Sequence, residues 1–225
     1  VLFKSVFLKL ERTQFNNEII QKVNTESRAL SVAYERMLKK EKIKGNFTRL
    51  VITGVKVSDT INQGINSSNI LSLTIPFDEQ AYVSFPTMKQ RQEYLCALFE
   101  ATFSMLKSKV EVNLKPFILE TELPIHFSQK ITEEYRCNNY QTIYLLKKGK
   151  LKNTNGTFEV WVNFTEKECS LKLRILNKKK LVEERIIFKA NPYSVAFQFP
   201  FSDVLVTDTN IQVVGARSSL LTVLL

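Results

Sequence analysis

Residues 86–110, PTMKQRQEYLCALFEATFSMLKSKV, constrain the fold of this chain more than any other stretch. At about 100° per residue, Tyr94, Leu95, Cys96, Leu98, Phe99, Ala101, Phe103, Met105, Leu106 and Val110 fall on an arc of roughly 220°. Glu93, Glu100, Ser104, Lys107 and Ser108 share the remaining sector. A helix covered on one side needs an apolar arc of only about 100°. The wider arc predicts a helix covered on two sides, between a sheet and a second layer. Pro86 stands where a helix can begin, and Thr87 with Gln90 has the spacing of a capping box.

Before this helix, residues 1–10 read as a strand with Lys4 and Lys9 as its polar breaks. A second helix is expected over residues 13–44. Its seam is Ile20, Val23, Ser27, Leu30, Tyr34 and Met37, a narrow heptad-like stripe that buries one side only. Asn24–Thr25 is a candidate break, and Gly45 a candidate C-terminal cap after Lys39, Lys40, Lys42 and Lys44. Residues 49–57 and 71–77 read as strands of a hairpin with a long polar loop, and residues 81–85 as a short extended approach to the central helix.

After the helix, Phe117, Leu119, Thr121, Leu123, Ile125 and Phe127 occupy alternate positions, which predicts a half-buried strand, with Pro124 placing it at an edge. From about residue 140 the pattern is a succession of strands about ten residues apart, joined by polar turns at 147–156, 165–168 and 177–180. Phe158, Val160, Val162 and Phe164 face one way; Glu159, Trp161, Asn163 and Thr165 face the other. That is an antiparallel meander. The expected class is α+β: two helices on a small antiparallel sheet over residues 1–115, then a β-rich antiparallel half over 116–225. One continuous sheet through both halves is the alternative.

The composition excludes several classes of function. With 225 residues and 44% hydrophobic content the chain can bury one large core or two small ones. Its apolar runs are too short to span a bilayer as helices, and no leader pattern is visible, so a cytoplasmic location is expected. Cys96, Cys137 and Cys169 are odd in number, far apart and without metal-ligand spacing, consistent with reduced thiols. Four Asn-x-Ser/Thr sequons, at Asn46, Asn66, Asn155 and Asn163, are close to the two or three that chance gives in a chain of roughly this composition. Neither phosphate-cradling glycine pattern occurs. His126 is the single histidine, expected on the polar face of the edge strand, so any His-based nucleophile or metal system would have to be built on it alone. Glu183 and Glu184 are adjacent in a strand and so point to opposite faces; Glu133–Glu134, Asp59, Asp78, Glu79, Asp203 and Asp208 sit in segments that sequence does not bring together. No catalytic residue, cofactor or metal is expected.

The net charge is +10, and it is local. Residues 139–190 carry twelve Lys/Arg against five Glu, and residues 1–45 carry ten against five, while the rest is slightly acidic. A basic sheet with Trp161 and Tyr144 interleaved among Lys172, Arg174, Lys178, Lys179, Lys180 and Arg185 has two readings. One is a partner-binding surface for another protein, acidic on its binding face, with Trp161 as anchor. The other is a nucleic-acid interface, although no established nucleic-acid motif is present. Protein binding is the expected function, since it needs no reactive group. In general character (α+β, rich in Phe, Ile, Lys and Asn, without an active-site motif) the chain resembles small bacterial proteins that neutralise a partner toxin. That resemblance implies an inhibitory, immunity-type role and carries no residue assignments.

Overall fold

A computed structural model describes residues 1–56, 63–107, 118–151, 156–192, 201–206, 210–215 and 219–224. Its described residues are mixed α and β, and they divide into two compact units, Val1–Tyr140 and Gln141–Leu225. The division expected near residue 115 lies outside the described residues; the boundary that is seen comes after Tyr140.

The first unit is built on β1 (Ser5–Leu10), β2 (Arg49–Val55), β3 (Gln63–Ile65) and β4 (Ile70–Pro76), in the order β1-β2-β4-β3. β2 runs parallel to both β1 and β4, and only the short β3 is antiparallel. The expected β2–β4 hairpin is therefore corrected. Alternation reveals which face of a strand is covered but not which way it runs. Across the strands the register lines up Val6, Leu50 and Leu71, then Leu8, Ile52 and Leu73. All six are buried. Leu10, Gly54 and Ile75 form a third row. There a Cβ on Gly54 would come within 2.7 Å of the end of the Leu10 side chain and 3.0 Å of Phe77 Cβ, so a larger residue would have to displace its neighbours.

Two helices, α1 (Asn17–Glu26) and α2 (Arg28–Lys40), make the long connection that a parallel β1–β2 pair requires. They replace the single expected helix over 13–44. The junction is Ser27, beyond the Asn24–Thr25 pair. Asn16 starts α1 by accepting the Ile19 N–H at 2.9 Å. The end of α2 corrects the role expected for Gly45. Lys42 takes the left-handed conformation, φ 51°, and its N–H donates to the Lys39 carbonyl. The Ile43 N–H donates to the Leu38 carbonyl at 3.1 Å. This is a Schellman motif, and the buried pair Leu38 and Ile43 is its apolar clasp. Gly45 instead bridges to Leu119, where a Cβ would lie 2.8 Å from the Ile118 carbonyl oxygen. α2 also guards the open edge of β1, where Glu35 accepts the Val6 N–H at 3.2 Å while Arg28 grips its carboxylate.

Residues expected as an extended approach form α3 (Glu79–Ser84), because Asp78 caps the Ala81 N–H at 2.9 Å. α4 (Met88–Lys107) is the predicted central helix. Its capping box is present, with Thr87 and Gln90 each accepting the other's backbone N–H at 3.3 Å. Its fully buried positions are Gln92, Leu95, Cys96, Phe99, Thr102, Phe103 and Leu106, an arc of about 120° rather than 220°. Ala101 is exposed, and Tyr94, Leu98 and Met105 are half-buried. Phe103 and Phe99 pack on Tyr34 with ring centroids 4.5 and 5.1 Å apart, and Phe3, Phe47 and Phe127 extend this cluster.

The expected edge strand over 117–127 is a further correction. Residues 118–126 are irregular apart from the Leu119 bridge, and Phe127 begins α5 (Phe127–Cys137). Phe127, Ile131 and Tyr135, four apart, are its buried stripe. Asn139 and Tyr140 are both left-handed, and the Tyr140 N–H returns to the Tyr135 carbonyl at 2.9 Å, a second Schellman ending closed by the two tyrosine rings.

In the second unit the predicted meander is present. β5 (Thr142–Lys150), β6 (Gly156–Phe164), β7 (Cys169–Asn177) and β8 (Lys180–Ala190) pair antiparallel in that order. β5 is longer than expected, since Lys147, Lys148 and Lys150 are strand rather than turn. Gly149 is paired with Phe158, whose ring would lie 2.6 Å from any Cβ there. β9 (Phe201–Val206), β10 (Asn210–Gly215) and β11 (Ser219–Leu224) form a second antiparallel sheet. Phe158, Val160, Val162, Phe164, Leu171 and Leu173 are buried on the inner face of the first sheet. In the second, Val204, Ile211 and Val213 are buried among the residues whose burial is described.

Candidate interaction surface

Besides the Arg28–Glu35 pair, four places among the described residues gather polar chemistry. Glu26, at the end of α1, is 6% exposed. Its carboxylate accepts from the Tyr82 hydroxyl at 2.6 Å and from Arg91 Nε at 3.0 Å. Its carbonyl accepts from Gln92 Nε2, and Gln92 Oε1 accepts the Tyr135 hydroxyl, both at 3.0 Å. Burial, reinforced by the Glu26 charge, pushes the Tyr82 hydroxyl far above its ordinary range, so it remains a donor. This network ties α1, α3, α4 and α5 together and uses up its own groups in doing so.

Glu93 and Arg136 make a second joint, between α4 and α5. Arg136 Nε reaches both Glu93 oxygens, at 3.1 and 2.9 Å, and the Tyr140 hydroxyl donates to Glu93 at 2.6 Å. Cys96 is buried nearby, and burial pushes its thiol up to about 12, which leaves it protonated and inert. His126 is not on a strand. It is the left-handed residue before α5, φ 62°, and its Nδ1 hydrogen-bonds the Gln129 side-chain oxygen. Among the described residues no three His, Cys, Asp or Glu side chains converge as a metal site would require.

A third place, an open cleft of about 340 Å³, lies at the carboxyl ends of β2 and β4. It is lined by Lys56, Pro76, Phe77, Asp78, Glu79 and Gln80. Its charges are already engaged: Lys56 pairs with Glu79 at 2.9 Å and sits over the Phe15 ring, and Asp78 caps α3.

The fourth is the outer face of the β5–β8 sheet. The register sets Leu145, Trp161, Lys172 and Ile186 in one row, and Lys148, Glu159, Arg174 and Glu184 in the next. Trp161 stands in the middle. Its indole N–H donates to Glu159 at 2.8 Å, and the Arg174 guanidinium lies over its ring at 5.5 Å. Glu184 bridges Lys172 at 2.9 Å and Arg174 at 2.6 Å. Those two hydrogen-bonded cations hold its carboxyl below the usual carboxylate range. Ile143 and Ile186 are each half exposed, at 50%.

Trp161, Lys172 and Arg174 thus come together. The other candidates do not join them. Tyr144 is paired with Val162, and Arg185 with Leu173, so both belong to the opposite face. Lys178 and Lys179 are the two central residues of the β7–β8 turn, and Lys180 opens β8. Both turn lysines are left-handed, φ 47° and 68°, the backbone of a type I′ turn without its usual Asn or Gly. Glu159, Glu184, Leu145 and Ile186 also belong to the surface and were not among the partner-binding residues expected from sequence. Asp59 and Asp208 lie outside the described residues.

The chain matches no protein-family model, no curated protein and no solved structure at a significant level.

Proposed function

We propose that the chain acts by non-covalent binding of another protein through the outer face of the β5–β8 sheet. One observation carries this reading: the single Trp of the chain stands half-buried in the middle of the outer sheet face, oriented by Glu159 and Arg174, with exposed Ile143 and Ile186 around it. Tryptophan and arginine dominate interface energies, and a pre-oriented side chain loses little entropy when it is covered. Lys172, Arg174 and Glu184 give the anchor a charged rim that fixes register with a complementary partner. An inhibitory, immunity-type role toward a toxin is the form of this function that asks least of the chain, a stable scaffold and one complementary surface.

The nucleic-acid alternative fits this surface less well. A base stacking on Trp161 would have to displace Arg174, and Lys172 and Arg174 already share Glu184. Tyr144, the second aromatic, is on the other face.

Affinity capture followed by mass spectrometry tests the proposal. The wild-type chain is expected to retain a defined protein. Trp161→Ala is expected to lose about 2 kcal/mol or more of that binding while its β-sheet circular dichroism is unchanged. A chain that retains only oligonucleotide, with affinity falling steeply as salt rises, would sink the proposal.

A further inference from the structure

We propose that the end of the β5–β8 sheet bearing the Lys178–Lys179 turn docks on an anionic lipid surface. The pairing of Lys150 with Thr157, Gly156 with Asn177 and Asn177 with Lys180 brings the end of β5 and the β7–β8 turn to the same end of the sheet. Lys148, Lys150, Lys178, Lys179 and Lys180 are all exposed there. Among the described residues none of these five makes an ion pair, unlike Lys172, Arg174, Arg185 and Lys189 elsewhere on the same sheet. The opposite end, at the β6–β7 turn, balances Glu166 and Glu168 with Lys167 and Lys189. The unpaired positive charge of the sheet is therefore concentrated at one end.

Two aliphatic side chains stand beside the lysines. Leu181 is 54% exposed and Val182 is 66% exposed. Val182 is the extra residue of a bulge, between the Leu176–Leu181 and Ile175–Glu183 pairs, and a bulge re-aims the side chain it carries.

The chemistry of this end selects lipid over other polyanions. All five cations are lysine. Lysine is depleted at protein–protein interfaces, and arginine is preferred where phosphates are gripped bidentately. No aromatic ring is exposed at this end among the described residues, so bases have no stacking platform. A lipid surface answers both features at once, with a negative headgroup layer for flexible point charges and an apolar layer beneath it for Leu181 and Val182. The left-handed backbone of Lys178 and Lys179 is the corresponding strain. Asn-Gly would relieve it, yet two lysines occupy the turn. The contact is independent of Trp161, which lies midway along β6.

Flotation of the full chain with vesicles tests the proposal, using phosphatidylcholine alone and phosphatidylcholine with phosphatidylserine. Binding is expected only with the anionic lipid, weakening as salt rises. The double variant Lys178→Asn/Lys179→Gly places the preferred residues in this turn, so it keeps the fold while removing two charges; a loss of roughly 30-fold in vesicle affinity is expected. Lys148→Gln/Lys150→Gln, on a different strand, should lose a comparable amount. No binding to anionic vesicles, equal binding to neutral ones, undiminished binding by both variants, or displacement from vesicles by oligonucleotide would each overturn the proposal.

Discussion

At Glu93 opposing effects compete. Burial disfavours its charge, but the hydrogen bonds from Tyr140 and Arg136 and the Arg136 charge outweigh that cost and hold its carboxyl below the ordinary carboxylate range. Tyr140 shows the reciprocal effect, its hydroxyl pushed up to about 12 by burial and by the bond to Glu93. A group whose folded value is depressed stabilises the native state above its unfolded value and loses that contribution as pH falls through the folded one. Glu93→Gln is therefore expected to lower stability at neutral pH and to match wild type at strongly acidic pH. The Glu93 side chain is 39% exposed, so solvent screening limits the neutral-pH difference to about 1 kcal/mol or less. Chemical denaturation at several pH values measures it; a difference independent of pH would refute the ionic account. None of this joint is legible in sequence, because Glu93 and Arg136 are 43 residues apart and meet only once α5 exists. Trp161 was legible, since strict alternation with Phe158, Val160, Val162 and Phe164 puts it outward.

At the scale of elements, local chemistry was readable wherever it was self-contained. The Thr87–Gln90 box and the strand alternation of β6 and β7 need nothing beyond neighbours in sequence. α5 was hidden because Leu119, Thr121, Leu123, Ile125 and Phe127 mimic a period of two, while the competing period at Phe127, Ile131 and Tyr135 begins on the last of them. Strand direction in the first sheet was hidden for a different reason. Parallel pairing of β1 with β2 depends on the α1–α2 crossover, and that of β2 with β4 on β3 taking the outer position, and neither is encoded in the strands themselves. The β7–β8 hairpin carries the element-scale prediction. A left-handed lysine costs about 1 kcal/mol or more, and Asn and Gly occupy that conformation with little or no penalty. Lys178→Asn/Lys179→Gly is expected to raise stability by about 1–2 kcal/mol, seen as a higher thermal midpoint of the second unit. A lower midpoint would mean that the lysine side chains contribute more to this turn than its backbone costs.

At the scale of the molecule, each unit has its own buried residues and its own spectroscopic reporter. Among the described residues all five helices lie within Val1–Tyr140, so the helical circular dichroism signal follows that unit. Trp161 is the only tryptophan, so indole fluorescence follows Gln141–Leu225. The two units are also stabilised differently. The first is clamped by the Glu26 network, in which removing one partner leaves a buried charge without its counter-charge. The second holds two antiparallel sheets, and among its described residues no charged residue is buried as Glu26 is; Phe158, Val160, Val162, Phe164, Leu171 and Leu173 make up the core of its first sheet. Arg91→Met deletes the guanidinium that faces Glu26 at 3.0 Å and keeps much of the side-chain volume. It is expected to destabilise the first unit by about 3–5 kcal/mol, because the side chain of Arg91 is only 15% exposed and that of Glu26 only 8%. Denaturant titration read by both probes should then move the helical transition to lower denaturant and leave the indole transition in place. If the two transitions move together, the chain unfolds as one cooperative body, and the contact boundary at Tyr140 has no thermodynamic counterpart.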